Sequence, residues 1–346
     1  MYARSTLTTK YFLSHFHSDH YGGIDSSWNA GVIYCSLVTA NLVHQQLGVS
    51  KEYLHPLGLN TPTVIESNGR PIHVTLIDAN HCPGAVMFLF QVGKRNILHV
   101  GDFRWNKSVM LSSPPIKSLS VQQPQLDEIF LDTTYCDEKY CLPSQEVAIK
   151  AAVEVAKKEV QESKQKKENL LFLFGAYTIG KERMFLSVAE ALGSKVYVDT
   201  QRYRILSALE WPDERLAMLT TKKDESNIWI VPMGHLNMKK MPEYLTGLSK
   251  AKNPVRTFDR VVGFRPTGWS NTTGNSIVTT RRSGTKLAVH SVPYSEHSSF
   301  PELLECIQTL KPKKIIPTVS VSKSEQQVNL LLRCLKMRQR LIIGQE

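Results

Sequence analysis

The chain has 346 residues and a mass of 39.1 kDa, with 42 Lys and Arg against 31 Asp and Glu, a formal charge of +11. A chain of this size builds two domains comfortably, and its 42% hydrophobic and 21% charged residues exclude a disordered or collagen-like polymer. The basic excess points to a polyanionic partner, nucleic acid or an anionic membrane.

No apolar run is long enough to cross a bilayer, Ala85–Phe90 being among the longest. Residues 1–10 are polar and lack the apolar stretch of a signal peptide. Six cysteines at irregular spacings, with no CxxC pair, suit a reducing compartment rather than a disulfide framework. The chain reads as soluble and intracellular, and nothing in it indicates oligomerisation, so a monomer is expected.

In chain order, short β-like runs separated by turn signals predict strands over Tyr11–Phe16, Val32–Cys35, His73–Ala79, Ala85–Gln91, Asn96–Val100 and Glu128–Leu131. One helix, Thr39–Leu47, sits among them. From Ser144, a plausible cap, an amphipathic stretch predicts a long helix that runs into the solvated charge run QESKQKKEN. Strands at Leu170–Phe174, Lys195–Val198, Ile228–Val231, Arg260–Phe264, Lys286–Pro293 and Lys314–Val319 follow. Helices at Lys181–Leu192, Phe300–Leu310 and Ser324–Leu335 accompany them. This mixture predicts sheets covered by helices, in the α/β or α+β class.

The strongest local signal is Ser14-His15-Phe16-His17-Ser18-Asp19-His20. On a strand, His15 and His17 leave the same face, and Asp19 with His20 can fold back toward them. Three imidazoles and a carboxylate within six residues offer nitrogen and oxygen ligands suited to zinc. His81, in DANHCPGAV, and Asp102, in HVGDFR, each follow an apolar run, at the strand end where open α/β sheets place their chemistry. Taken singly, either is compatible with turn punctuation; with the first cluster they complete a ligand set.

HFHSDH, DANHCPGAV and HVGDFR, in this order, resemble the metallo-β-lactamase superfamily. LDTTYC (131–136), FRPTGW (264–269), VPYSEHSSF (292–300) and IIPTV (315–319) narrow the resemblance to the β-CASP branch and, within it, to the DNA cross-link repair nucleases that include Apollo and Artemis. The likeness covers nearly the whole chain. It implies an αββα sandwich formed by residues 1–143 and 285–346, with a β-CASP cap inserted at 144–284. It also implies one or two zinc ions: a first held by His15, His17, His81 and Asp102, a second by Asp19, His20 and the shared Asp102. Asp132 and His297 match the first two β-CASP motifs, and Asp19, Asp132 and His297 are the expected catalytic residues. Val319 occupies the third motif, where valine resembles DNA-acting members and RNA-processing members carry histidine.

The activity so implied is phosphodiester hydrolysis, 5′-to-3′ on 5′-phosphorylated DNA, in cross-link or end-processing repair, with the nucleus as location and repair-complex proteins as further partners. Zinc would acidify bound water and neutralise phosphoryl oxygens. Tyr135, Lys181, Ser295 and Ser299 are candidates for anchoring a terminal phosphate, although serines before Phe300-Pro301-Glu302 would equally cap a helix. Arg265, Arg281 and Arg282 are candidates for the DNA track. The family also has an aspartate upstream of HxHxDH. Here no Asp or Glu precedes Asp19, so truncated N-terminal strands and a weak or inactive DNA-binding or partner-binding protein form an alternative. An RNA-processing endonuclease and a hydrolase of small esters or lactams are further alternatives.

The charge is unevenly placed. Residues 1–150 hold 11 basic and 12 acidic side chains, whereas residues 151–346 hold 31 and 19. The stretches 250–290 and 311–340 each carry eight basic residues against one acidic, an imbalance that favours a phosphate track.

Overall fold

A computed structural model describes residues 8–248, 257–268, 277–281 and 286–343. They form two compact units, Met1–Cys141 with Glu296–Glu346, and Leu142–Ser295. The first unit contains two sheets. Lys10–Phe12, Val32–Cys35 and Leu54–Pro56 pair in that order, all parallel. Lys314–Pro317, Glu128–Leu131, Arg95–His99, Val86–Val92, Arg70–Asp78 and Thr63–Ser67 make the second.

Side-chain alternation sorts this unit into layers. From the strand Val86–Val92, Met87 and Leu89 join Ile77, Leu98, Ile129 and Leu131 against the helices Pro114–Ser120 and Phe300–Leu310. Val86 and Phe88 turn the other way, onto Leu57, Val74 and Leu76, with Tyr34 of the three-stranded sheet packed alongside. The helix Leu37–Leu47 buries Ala40, Leu42 and Val43; Ser36 caps its start by accepting from Thr39 N, and Gly48 ends it at φ 71°. Helix, sheet, sheet, helix is the resulting order. Each buried Leu or Ile contributes about 1.5–3 kcal/mol, so both faces of the six-stranded sheet must be covered.

The second unit is a seven-stranded sheet in the order Leu219–Thr220, Val196–Tyr197, Ile228–Pro232, Leu170–Ala176, Arg260–Pro266, Leu287–Val292, Val278–Arg281. Every pairing is parallel except the last. The helix Gln145–Gln165 begins where Ser144 accepts from Val147 N and absorbs much of the expected charge run. This unit ends at Ser295, beyond the expected boundary at 284/285: Leu287–Val292 pairs along its length with Arg260–Pro266, so it is a sheet strand of this unit. The strands Leu54–Pro56, Thr63–Ser67, Leu219–Thr220 and Val278–Arg281 were not expected from the sequence, being short or polar.

A buried ionic cluster ties the long helix to this sheet. Glu159 accepts from Arg281 Nη2 at 3.0 Å, lies 2.9 Å from His290 Nε2 and also accepts from Arg260. Burial alone would raise its pKa, but the His290 hydrogen bond and the charges of Arg260 and Arg281 hold it below the ordinary glutamate value. A carboxyl lowered on folding adds stability above its unfolded pKa, and that stability disappears as pH falls through the folded value. The melting temperature should therefore drop more steeply on acidification below about pH 4.5 than in a Glu159→Gln variant, each referred to its own neutral-pH value. Parallel curves for the two proteins would remove Glu159 from the acid response.

Candidate metal centre

Strand polarity gathers the candidate residues. Arg70–Asp78 and Arg95–His99 both run antiparallel to Val86–Val92, so they share a direction, and Glu128–Leu131 and Lys314–Pro317 follow it. His81, Asp102, Asp132 and Val319 thus leave one edge of one sheet, at the carboxyl ends of its strands. The first histidines arrive differently. The expected strand over Tyr11–Phe16 ends at Phe12, and Leu13 N makes its last rung to Tyr34 O. His15 and His17 are therefore loop residues, and the chain turns at once, with His20 N donating to His17 O at 2.9 Å.

Ligand atoms of His15, His17, His81 and Asp102 all lie within 4.8 Å of one another. His81 Nδ1 must donate to the Glu296 carbonyl at 2.9 Å, which turns its Nε2 lone pair inward, 3.1 Å from His17 Nδ1. Nε2 of fully buried His15 stands 3.6 Å from Asp102 Oδ2 with no hydrogen-bond partner. Burial, and then the neighbouring histidines, push the pKa values of His15 and His81 well down. Neutral imidazoles with inward lone pairs beside a carboxylate are the donor set of a divalent metal, and the orphaned buried nitrogen among them is a donor such an ion would satisfy. The residues fit the ion.

The expected second position is looser. His20 Nε2 approaches Asp102 Oδ2 at 3.2 Å, but Asp19, 78% exposed, stands 3.7 Å from His20. A more buried group is Asp102, Asp132 and His297. His297 Nδ1 donates to Asp132 Oδ2 at 2.8 Å, while Asp132 Oδ1 accepts from Thr134 N and Oγ1. Burial lowers the His297 pKa, but the charge and hydrogen bond of Asp132 outweigh it and the net shift is upward. Val319 contributes backbone: Thr133 Oγ1 and Gln327 Nε2 both donate to its carbonyl, tying the Asp132 loop to the last helix.

The phosphate-anchor candidates fare less well. Ser299 is 1% exposed and closes a capping box with Glu302, and Ser295 is buried with its carbonyl accepting from Gln145 Nε2. The Ser299 hydroxyl is taken by local capping, as its sequence context allowed. Tyr135 is buried, with its ring edge-on to His297 at 6.1 Å. Within the second unit, Lys181 begins the helix Glu182–Leu192 with φ 75° and lies over the Tyr294 ring at 5.4 Å. Arg265 is half-buried in the strand Arg260–Pro266. Arg281, expected on the DNA track, pairs with buried Glu159, and Arg282 lies outside the described residues.

Sequence reasoning missed a clamp around the centre. Arg104, fully buried, binds Glu302 through Nε and Nη2 at 3.0–3.3 Å. Ser298 N donates to Phe103 O, and Trp105 N donates to Ser298 Oγ, each at 2.9 Å. The Asp102 turn is thereby fastened to the segment that carries His297. Only the Arg-Trp pair after GDF hinted at it.

A two-layered sheet core flanked by helices, with a His/Asp cluster on loops at one sheet edge, is the fold and site of the metallo-β-lactamase superfamily. A solved protein of unknown function from Enterococcus faecalis V583 shares the fold at a TM-score of 0.54, with 14% identity over 91% of this chain and 76% of that one. The family model described as DNA repair metallo-beta-lactamase matches residues 213–323. The mouse DNA cross-link repair 1A protein is 38% identical over 317 residues, 90% of this chain and 29% of its own length. The chicken 5′ exonuclease Apollo is 30% identical over 309 residues, 89% of this chain and 58% of its own length. The chain belongs to the DNA cross-link repair family in the β-CASP branch of that superfamily, a family that implies use of a divalent metal. It spans less than a third of the mouse relative, and no described helix is long and apolar enough to cross a membrane.

Proposed function

We propose that the chain is a zinc-dependent DNA repair nuclease, cutting 5′-phosphorylated DNA from the 5′ end in the nucleus. The observation that carries this is the convergence of His15, His17, His81 and Asp102, with inward-facing lone pairs and an orphaned His15 Nε2. These four residues would hold the first ion, and Asp19 and His20 would join Asp102 around a second. When bound, zinc supplies the Lewis acidity that activates water and offsets phosphoryl charge. His297, held by Asp132, presents Nε2 4.0 Å from Asp102 Oδ2, where it can meet a phosphoryl oxygen. The basic excess of residues 151–346 would hold the strand through its phosphates. The name and activity of the Apollo relative support the exonuclease direction.

The test is an assay of the full chain with zinc on end-labelled 5′-phosphorylated single-stranded DNA, beside RNA and a chromogenic lactam. Shortening of the DNA from its 5′ end, abolished by chelator and by His17→Ala, is the expected result. DNA left whole, or cut equally by parent and His17→Ala, would overturn the proposal, and preferential cleavage of RNA or lactam would replace it.

A further inference from the structure

We propose that Ser14 is a positioning residue of the metal centre, its hydroxyl accepting the Nδ1 proton of His15 and so fixing the tautomer that turns Nε2 toward the metal. The inference rests on the metal-holding reading of the cluster and not on the identity of the substrate.

Ser14 Oγ lies 3.0 Å from His15 Nδ1, and both side chains are buried. A neutral imidazole carries one ring proton. If it sat on His15 Nε2, an N–H would be buried without a hydrogen-bond partner among three other ligand groups, an uncompensated desolvation. With the proton on Nδ1, the serine oxygen accepts it and the Nε2 lone pair faces the cluster. The carbonyl of Glu296 does the same for His81. Metal-ligating histidines commonly have their second nitrogen so engaged, and the partner sets ring orientation and basicity.

Ser14 is also fixed from two further sides. Its carbonyl accepts from Val86 N at 2.9 Å, joining the ligand loop to the six-stranded sheet. Its side chain fills the space beside Gly101, where an added Cβ would come within 2.8 Å of Ser14 Cβ, and Gly101 itself has φ 60°. The serine thus touches both the residue that follows it, His15, and the turn that delivers Asp102. One small side chain thereby sets both the rotation of the first ligand and its spacing from the shared carboxylate.

Zinc affinity measured by competition with a chromogenic chelator, on the full chain, tests this. Ser14→Ala should weaken the affinity about ten- to a hundredfold, while the chelated protein melts as the chelated parent does. In a His15→Ala background the same change should produce no further loss, because the hydroxyl acts through that ring. An affinity within twofold of the parent, or an equal loss in both backgrounds, overturns the proposal. A parent without measurable zinc affinity overturns it together with the metal-holding reading, whereas a parent that binds zinc and leaves DNA whole overturns the nuclease reading alone.

Discussion

Asp102→Ala should abolish stable zinc binding and lower DNA cleavage by more than the roughly hundredfold that loss of an outer-sphere partner produces. Its Oδ2 is 3.2 Å from His20 Nε2, 3.6 Å from His15 Nε2, 3.8 Å from His81 Nε2 and 4.0 Å from His297 Nε2. It is the residue common to both ligand groups, so its removal opens the first site and any second site together. Asp19→Ala should do less, since that carboxylate is exposed and stands 3.7 Å from His20 Nε2. Metal content by mass spectrometry and the rate on labelled DNA check both. If Asp102→Ala keeps a full complement of zinc, the shared-ligand assignment is wrong.

Arg104→Leu should destabilise the unit of Met1–Cys141 with Glu296–Glu346 by about 3–5 kcal/mol, the usual result of breaking a buried ion pair. That corresponds to roughly 6–20 °C in melting temperature for a unit of this size. Glu302 would keep its contact with Ser299 N but lose its buried cation, so the low end of the range applies. Cleavage should fall as well, because the same clamp fastens His297 opposite Asp102. The double variant with Glu302→Leu should recover part of the stability, since no charge is left buried alone, although the capping-box contact stays lost. A single variant as stable as the parent would show that the pair does not hold these segments together.

Much of the local structure is legible in the residues. Val32–Cys35, Glu128–Leu131 and Phe300–Leu310 occur where alternation or helical spacing placed them. Ser144 caps its helix as its position before an amphipathic run suggested. The four short strands escaped because two to five residues give too little pattern to distinguish a strand from a turn. The strand expected over Tyr11–Phe16 stops early because the ligand turn, not alternation, governs the chain after Leu13.

The site divides in the same way. Residue chemistry within short segments marked His15, His17, His81 and Asp102 as candidate ligands, and the ordered motifs pointed to the family. Tertiary structure decided which side chains were already committed. Ser299 went to a helix cap, Arg281 to Glu159 across 122 residues, and Arg104 to Glu302 across 198. It also paired His297 with Asp132, and set Leu287–Val292 parallel to Arg260–Pro266 in the sheet of the second unit. A sequence displays the donors and charges a chain possesses, because those are properties of single residues. Which donor meets which acceptor depends on strands and helices distant in the chain becoming neighbours, and only the packed fold sets that.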